Sequence, residues 1–105
     1  MAKVKAVFYL PLVDNDGRSL QSDIEALEIQ LYLEFVGWSF IGHVKGTFQM
    51  ADGSRKVDES AAYTVVFEET RVNELETVLR TFKQKTSQEA IYLEIHRNVD
   101  IRFIE

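Results

Sequence analysis

The sequence contains no cysteine, and that single absence removes disulfide scaffolds, thiolate metal sites and thiol nucleophiles together. A reducing compartment fits. It also lacks a long apolar run. The stretch AVFYLPLV near the N-terminus is too short to span a bilayer and has no small-residue cleavage site, so a cytoplasmic location is expected. Basic charge is scarce. Against 17 Asp and Glu stand 12 Lys and Arg, for a net charge of -5. The long-range field therefore repels DNA, RNA and anionic lipid, and neither nucleic acid nor a membrane is expected as a partner. The densest basic cluster, Arg80, Lys83 and Lys85, suits the solvated end of a helix, where cations complement the dipole. There is no Walker A loop, no G-x-G-x-x-G and no G-x-S-x-G elbow, so no cofactor, nucleotide cradle or activated serine is expected.

What is present is an ordinary globular composition. Of 105 residues, 46% are hydrophobic and 28% charged, enough apolar side chain for one core and not for two. The whole of 1–105 is expected to be one domain.

The chain alternates strand-like and helix-like patterns. Residues 3–13, KVKAVFYLPLV, place Val4, Ala6, Phe8 and Leu10 on one parity, which predicts a strand losing regular pairing near Pro11. DNDGR at 14–18 supplies a turn. Ser22 followed by Glu25 reads as a capping box, and Ile24, Leu27, Leu31 and Phe35 recur at helical spacing, flanked by Ile29, Leu33 and Val36. A helix over 23–36 follows, with Gly37 as its expected left-handed cap. From Trp38 to Met50 the period returns to two. Residues 50–60 read as a polar loop with an Asp52-Gly53 turn, and 61–68 as a third strand. Thr70 is placed to cap a second helix over 71–84, striped by Val72, Leu75, Leu79 and Phe82. Residues 90–96 form a fourth strand, and VDIRFI at 99–104 offers a short extra one at the C-terminal end.

Two helices are too few to cover both faces of a parallel sheet. Right-handed crossovers then give an α+β, ferredoxin-like β-α-β-β-α-β sandwich, with strand order 4-1-3-2 and both helices on one face of an antiparallel sheet. Parity sends Val4, Ala6, Phe8, Leu10, Trp38, Phe40, Val44, Phe48, Tyr63, Val65, Phe67, Ile91, Leu93 and Ile95 toward the helices. The other face carries Val7, Tyr9, Ile41, Val66 and Tyr92 beside His43, which is too apolar for full wetting. These six are the expected interface of a homo-oligomer, a dimer being the preferred state.

Site chemistry is thin. Asp14-Asn15-Asp16-Gly17 has the carboxylates for calcium but not the EF-hand spacing, so a structural turn is preferred and no metal site is expected. The two histidines, His43 and His96, fall on opposite edge strands, roughly 14 Å apart at three strand spacings, too far for joint chelation. In this topology the polar segments 13–22, 49–60 and 84–89 converge on one sheet edge. There Asp14, Asp16, Arg18, Arg55, Gln88 and Glu89 are the candidate contacts to a small-molecule or protein ligand, and no residue is assigned a catalytic role.

Four runs carry a resemblance: FYLPLVDNDGR at 8–18, LEFVGWSF at 33–40, GTFQMADG at 46–53 and TFKQKTSQEAIYLEI at 81–95. Together the chain resembles a group of small uncharacterised bacterial proteins with a strand ending in Pro-Leu-x-Asp-Asn-x-Gly-Arg and a late Gln-Glu-Ala-Ile strand start. The resemblance implies the same ferredoxin-like fold and no established activity. Phe35-Val36-Gly37-Trp38 departs from that group's Phe-Gly-Gly-x-Thr helix end. A looser likeness to PII-type signalling proteins rests on element order and the loop at 49–60. The expected function is a non-catalytic, homo-oligomeric ligand-binding or regulatory module. Its rivals are a small enzyme using His43 or Glu94 in an intersubunit cleft, and a structural subunit of a larger complex.

Overall fold

The computed structural model describes residues 2–105. Strand β1 (Lys3–Pro11) leads through a tight turn into helix α1 (Gln21–Phe35). Strands β2 (Ser39–Gln49) and β3 (Arg55–Glu68) form a long hairpin. A single 3₁₀ turn at Glu69–Arg71 opens helix α2 (Val72–Lys85), and β4 (Tyr92–His96) completes the sheet. All pairings are antiparallel, in the order β2-β3-β1-β4. This is the ferredoxin-like α+β sandwich.

The core lies between sheet and helices. Val4, Ala6, Phe8 and Leu10 of β1 and Tyr63, Val65 and Phe67 of β3 meet Ile24, Leu27, Leu31 and Phe35 of α1 and Val72, Leu75, Val78, Leu79 and Phe82 of α2. Burial of such side chains contributes about 1.5–3 kcal/mol apiece before entropy is subtracted. Tyr63 donates its hydroxyl to Glu28 of α1 at 2.5 Å. Burial first, and this bond second, push the Tyr63 phenol above its usual range. Arg71 ties the helices at the other end, lying 4.5 Å from the Phe35 ring centroid and donating to the Glu34 carbonyl at 2.8 Å.

Several expectations need correction. The Ser22–Glu25 capping box does not form: α1 begins two residues earlier, at Gln21, and the Ser19 hydroxyl accepts from the Gln21 N–H at 3.2 Å. The left-handed cap is Val36, at φ 68°, and not Gly37. Thr70 makes no capping bond, because the 3₁₀ turn absorbs it and Arg71 precedes the helix. The polar segment after residue 54 is strand: Arg55 pairs with Gln49, and the turn shrinks to 50–54. There Asp52 Oδ1 accepts from the Ser54 N–H at 2.9 Å, and Gly53 takes φ 85°. Residues 98–104 join no strand, so the extra C-terminal strand does not form in this chain.

The largest correction concerns β2. Paired side chains in an antiparallel ladder share a face. Phe40 opposite Tyr63 faces the helices, but the register slips between Phe40 and Gly42, where Ile41 bulges and Gly42 takes φ 136°. One inserted residue inverts the parity of all that follows. Val44 opposite Ser60 and Phe48 opposite Lys56 turn to the open face, while His43 opposite Ala61 turns to the helix side. Val44 and Phe48 therefore leave the core, and Phe48 is 48% exposed; Trp38 and Phe40, ahead of the slip, pack against Tyr63 but at the edge of the sheet are not buried core either.

Candidate functional site

β1 stops pairing with β3 at Pro11–Ser60, so residues 45–49 and 55–59 continue as a two-stranded arm roughly 17 Å beyond it. β4 stops sooner, at the Tyr9–Tyr92 pair. The cause is in the sequence. The Leu12 N–H reaches the Glu59 carbonyl of β3 at 3.1 Å, so by alternation the Pro11 nitrogen faces β4, where it has no hydrogen to donate. The chain at 88–91 diverges from the sheet there and leaves a gap.

That gap is a groove of about 380 Å³ on the open face. Tyr9, Pro11, Ser60, Asp58 and Lys56 lie along it, with Phe48, Gln49 and Met50 on the arm side and Gln88 to Tyr92 opposite. Tyr9 and Tyr92 stack at 4.5 Å between centroids. Phe48 folds back over Gly46, so that a Cβ on Gly46 would stand 2.8 Å from its ring. Lys56 Nζ donates to Asn15 Oδ1 at 3.0 Å and lies 3.6 Å from Asp58, which fixes a polar row beside the aromatic rings. Gln88 is buried and donates Nε2 to the Thr86 carbonyl at 3.2 Å. Glu89 is exposed at the rim.

Of the candidate ligand contacts, Gln88 and Glu89 line the groove and Asp14, Asp16, Arg18 and Arg55 do not. Asp14 closes its own turn, accepting from the N–H groups of Asp16 and Arg18 at 2.9 Å and from Arg18 Nε at 3.0 Å. These bonds, the Arg18 N–H foremost, hold its carboxyl below the usual range. Arg55 sits at the far end of the arm, opposite Gln49. Sequence parity assigns Phe48 to the core, and Ser60 carries no signal of its own. The glycines at 42 and 46, inside an alternating strand, are the one trace in the sequence of a bulge and a close approach.

Of the expected interface residues, Val7, Tyr9, Val66 and Tyr92 share the open face, Ile41 occupies the bulge, and His43 lies on the opposite face against the Phe40 ring. The open face carries a second polar cluster next to the groove. Glu94 accepts from the Tyr92 hydroxyl at 2.5 Å and is 2.7 Å from His96 Nε2. The Tyr92 bond first, then His96, lowers the Glu94 carboxyl below its ordinary range, and the Tyr92 phenol is raised by the same contact. Among the described residues no three His, Cys, Asp or Glu side chains gather as a metal site, and no helix is long and apolar enough to cross a membrane.

No family profile and no curated protein matches this chain. Solved structures do. A phage SAM lyase in complex with S-methyl-5'-thioadenosine is similar over 91% of this chain and 81% of its own, with a TM-score of 0.73 and 13% identity. A DUF3240 family protein from Shewanella baltica OS155 covers 100% of this chain and 99% of its own, with a TM-score of 0.64 and 15% identity. The divalent ion tolerance protein CutA1 from Ehrlichia chaffeensis covers 97% and 87%, with a TM-score of 0.61 and 5% identity. At such identities the likeness is one of fold. No function is established by it.

Proposed function

We propose that residues 1–105 act as one domain, a non-catalytic cytoplasmic module that self-associates through the open sheet face and binds a small, partly aromatic molecule in the groove. The observation that carries the reading is the groove itself, where the exposed Phe48 ring and the Tyr9–Tyr92 pair flank a row of polar side chains at Lys56, Asp58 and Ser60. A flat heterocycle with hydrogen-bonding substituents suits that combination. Self-association has its own support. Past the Leu12–Glu59 bond at its base the arm is a two-stranded ribbon, which is marginal in water without something to lie against. The apolar residues Val7, Val66 and Tyr92 continue from its base. A dimer is the simplest closed arrangement.

S-methyl-5'-thioadenosine, the molecule held by the similar phage lyase, is the natural first probe. Calorimetric titration should give measurable binding that drops about tenfold or more in Phe48→Ala, since one stacking contact is worth about 1–3 kcal/mol. Light scattering should give a dimer that Val66→Asp splits. A monomer at micromolar concentration sinks the assembly. Binding unchanged by Phe48→Ala sinks the groove.

A second reading, an enzyme working in an intersubunit cleft, rests on Glu94 held between Tyr92 and His96. His43, on the far face, has no part in it. Product formation lost in Glu94→Gln, with binding retained, would favour this reading over the first.

A further inference from the structure

The groove at the base of the arm has a charge balance of its own. At about 380 Å³ it stands near the lower end of small-molecule sites, with room for one ring system and a short substituent. Among its lining residues Lys56 is the one base, against two carboxylates, Asp58 and Glu89.

The base is already engaged. Lys56 Nζ donates to Asn15 Oδ1 at 3.0 Å and stands 3.6 Å from Asp58 Oδ1. Both side chains of this ion pair are largely covered, at 28% and 29% exposure, so solvent screens it less than a pair in open water. Asn15 belongs to the turn that Asp14 closes by accepting from the Asp16 and Arg18 N–H groups, so the lysine is held from a fixed point. Asp58 thus offsets the lysine's charge. Glu89 has no cationic partner among the described residues. It leaves the groove negative at its rim.

Other features that draw anions are elsewhere. The first turns of α1 and α2, where helix N–H groups lack partners, take no part in the lining, and neither do Arg18 and Arg55. Aromatic rings stand there instead. In the β2–β3 register Asp58 is opposite Gly46, which has no side chain, and the Phe48 ring folds into that space. A carboxylate beside the Phe48 ring, with the Tyr9–Tyr92 stack on the far wall, favours a positive charge through both Coulomb attraction and the ring quadrupoles. A phosphate meets the reverse. It has to shed water next to an unpaired glutamate, for an ammonium that is already taken.

We propose that the groove selects by charge: it takes an unphosphorylated heterocycle such as a nucleoside, neutral or with a positive substituent, and rejects the phosphorylated form of the same molecule. This deepens the binding role proposed above for the groove and rests on it.

The test uses the full chain and three adenosine derivatives that differ only at the 5' position. These are 5'-amino-5'-deoxyadenosine, cationic near neutral pH, then S-methyl-5'-thioadenosine, which is neutral, and adenosine 5'-monophosphate, an anion. Calorimetric titration at low salt should rank them in that order, with the monophosphate at least tenfold weaker than the thioether. Salt at about 0.5 M should narrow the spread by screening and leave the thioether unchanged. Two variants should move the ranking in opposite directions. Asp58→Asn, which releases Lys56, should strengthen the monophosphate and weaken the amine severalfold, and Lys56→Met should do the reverse. Unchanged thioether binding shows that both variants keep the fold. Equal affinities for the three, a monophosphate that binds tightest, or a ranking indifferent to both variants overturns charge selection while leaving the groove as the binding site. Binding of none of the three overturns both.

Discussion

Gly46 lies so close beneath the Phe48 ring that a side chain there would displace it. The obstacle is the far end of one exposed ring, which can swing outward, and alanine restricts the unfolded chain more than glycine does. Gly46→Ala should therefore leave stability within about 0.5 kcal/mol. The same change should remove one wall of the groove, so that a chemical-denaturation midpoint near wild type accompanies a clear loss of probe affinity. Asp14 makes the opposite kind of prediction. Its native carboxyl titrates below its ordinary value of 3.8, so the folded state favours the ionised form. That contribution is complete above the ordinary value and is lost as the pH falls through the lower native one. Asp14→Asn should flatten the acid limb of a stability–pH curve below about pH 4, with little effect near neutrality on its slope. Thermal melts across that range check it.

At the scale of elements, β1, the second half of β3 and both helices were legible because a single period runs through each: Val4 to Leu10 and Tyr63 to Phe67 alternate, and Leu75, Leu79 and Phe82 hold helical spacing; the first half of β3, Arg55 to Ser60, is polar on both faces and reads as loop. The helix starts were less so, since a serine three residues before a glutamate caps only if the chain enters the helix at that serine, and here Leu20 already does. β2 was legible as a strand and misread in its facing. Trp38, Phe40, Val44 and Phe48 keep one parity in the sequence on both sides of the slip, yet a bulge is a fact of pairing, and Gly42 alone betrays it. That slip hid Phe48, and with it half of the candidate site. Because the arm beyond Ser60 is tied to the rest of the chain only by the Leu12–Glu59 and Lys56–Asn15 bonds near its base, it can be shortened. Replacing residues 45–58 by an Asn-Gly turn should preserve cooperative unfolding and helical circular dichroism while eliminating groove binding and weakening the dimer. Global unfolding of that variant would show the arm to be part of the folding unit.

For the whole molecule, the decisive asymmetry is between the two edges of the sheet. β2 runs 11 residues and is anchored in a long hairpin, whereas β4 runs 5 and is held on one flank only, by β1. Short peripheral segments of this sort open independently of the rest, and their amide protons exchange with solvent at a rate set by that local opening. Tyr92, the first residue of β4, is also a wall of the groove. Anything that occupies the groove must then clamp the least secured part of the chain: at a ligand concentration one hundred times its dissociation constant, the opening is made about 2.7 kcal/mol harder. In deuterium-labelling measurements the backbone of 92–96 becomes an internal gauge of occupancy, slowing about a hundredfold on saturation while β1 and β3 keep their rates.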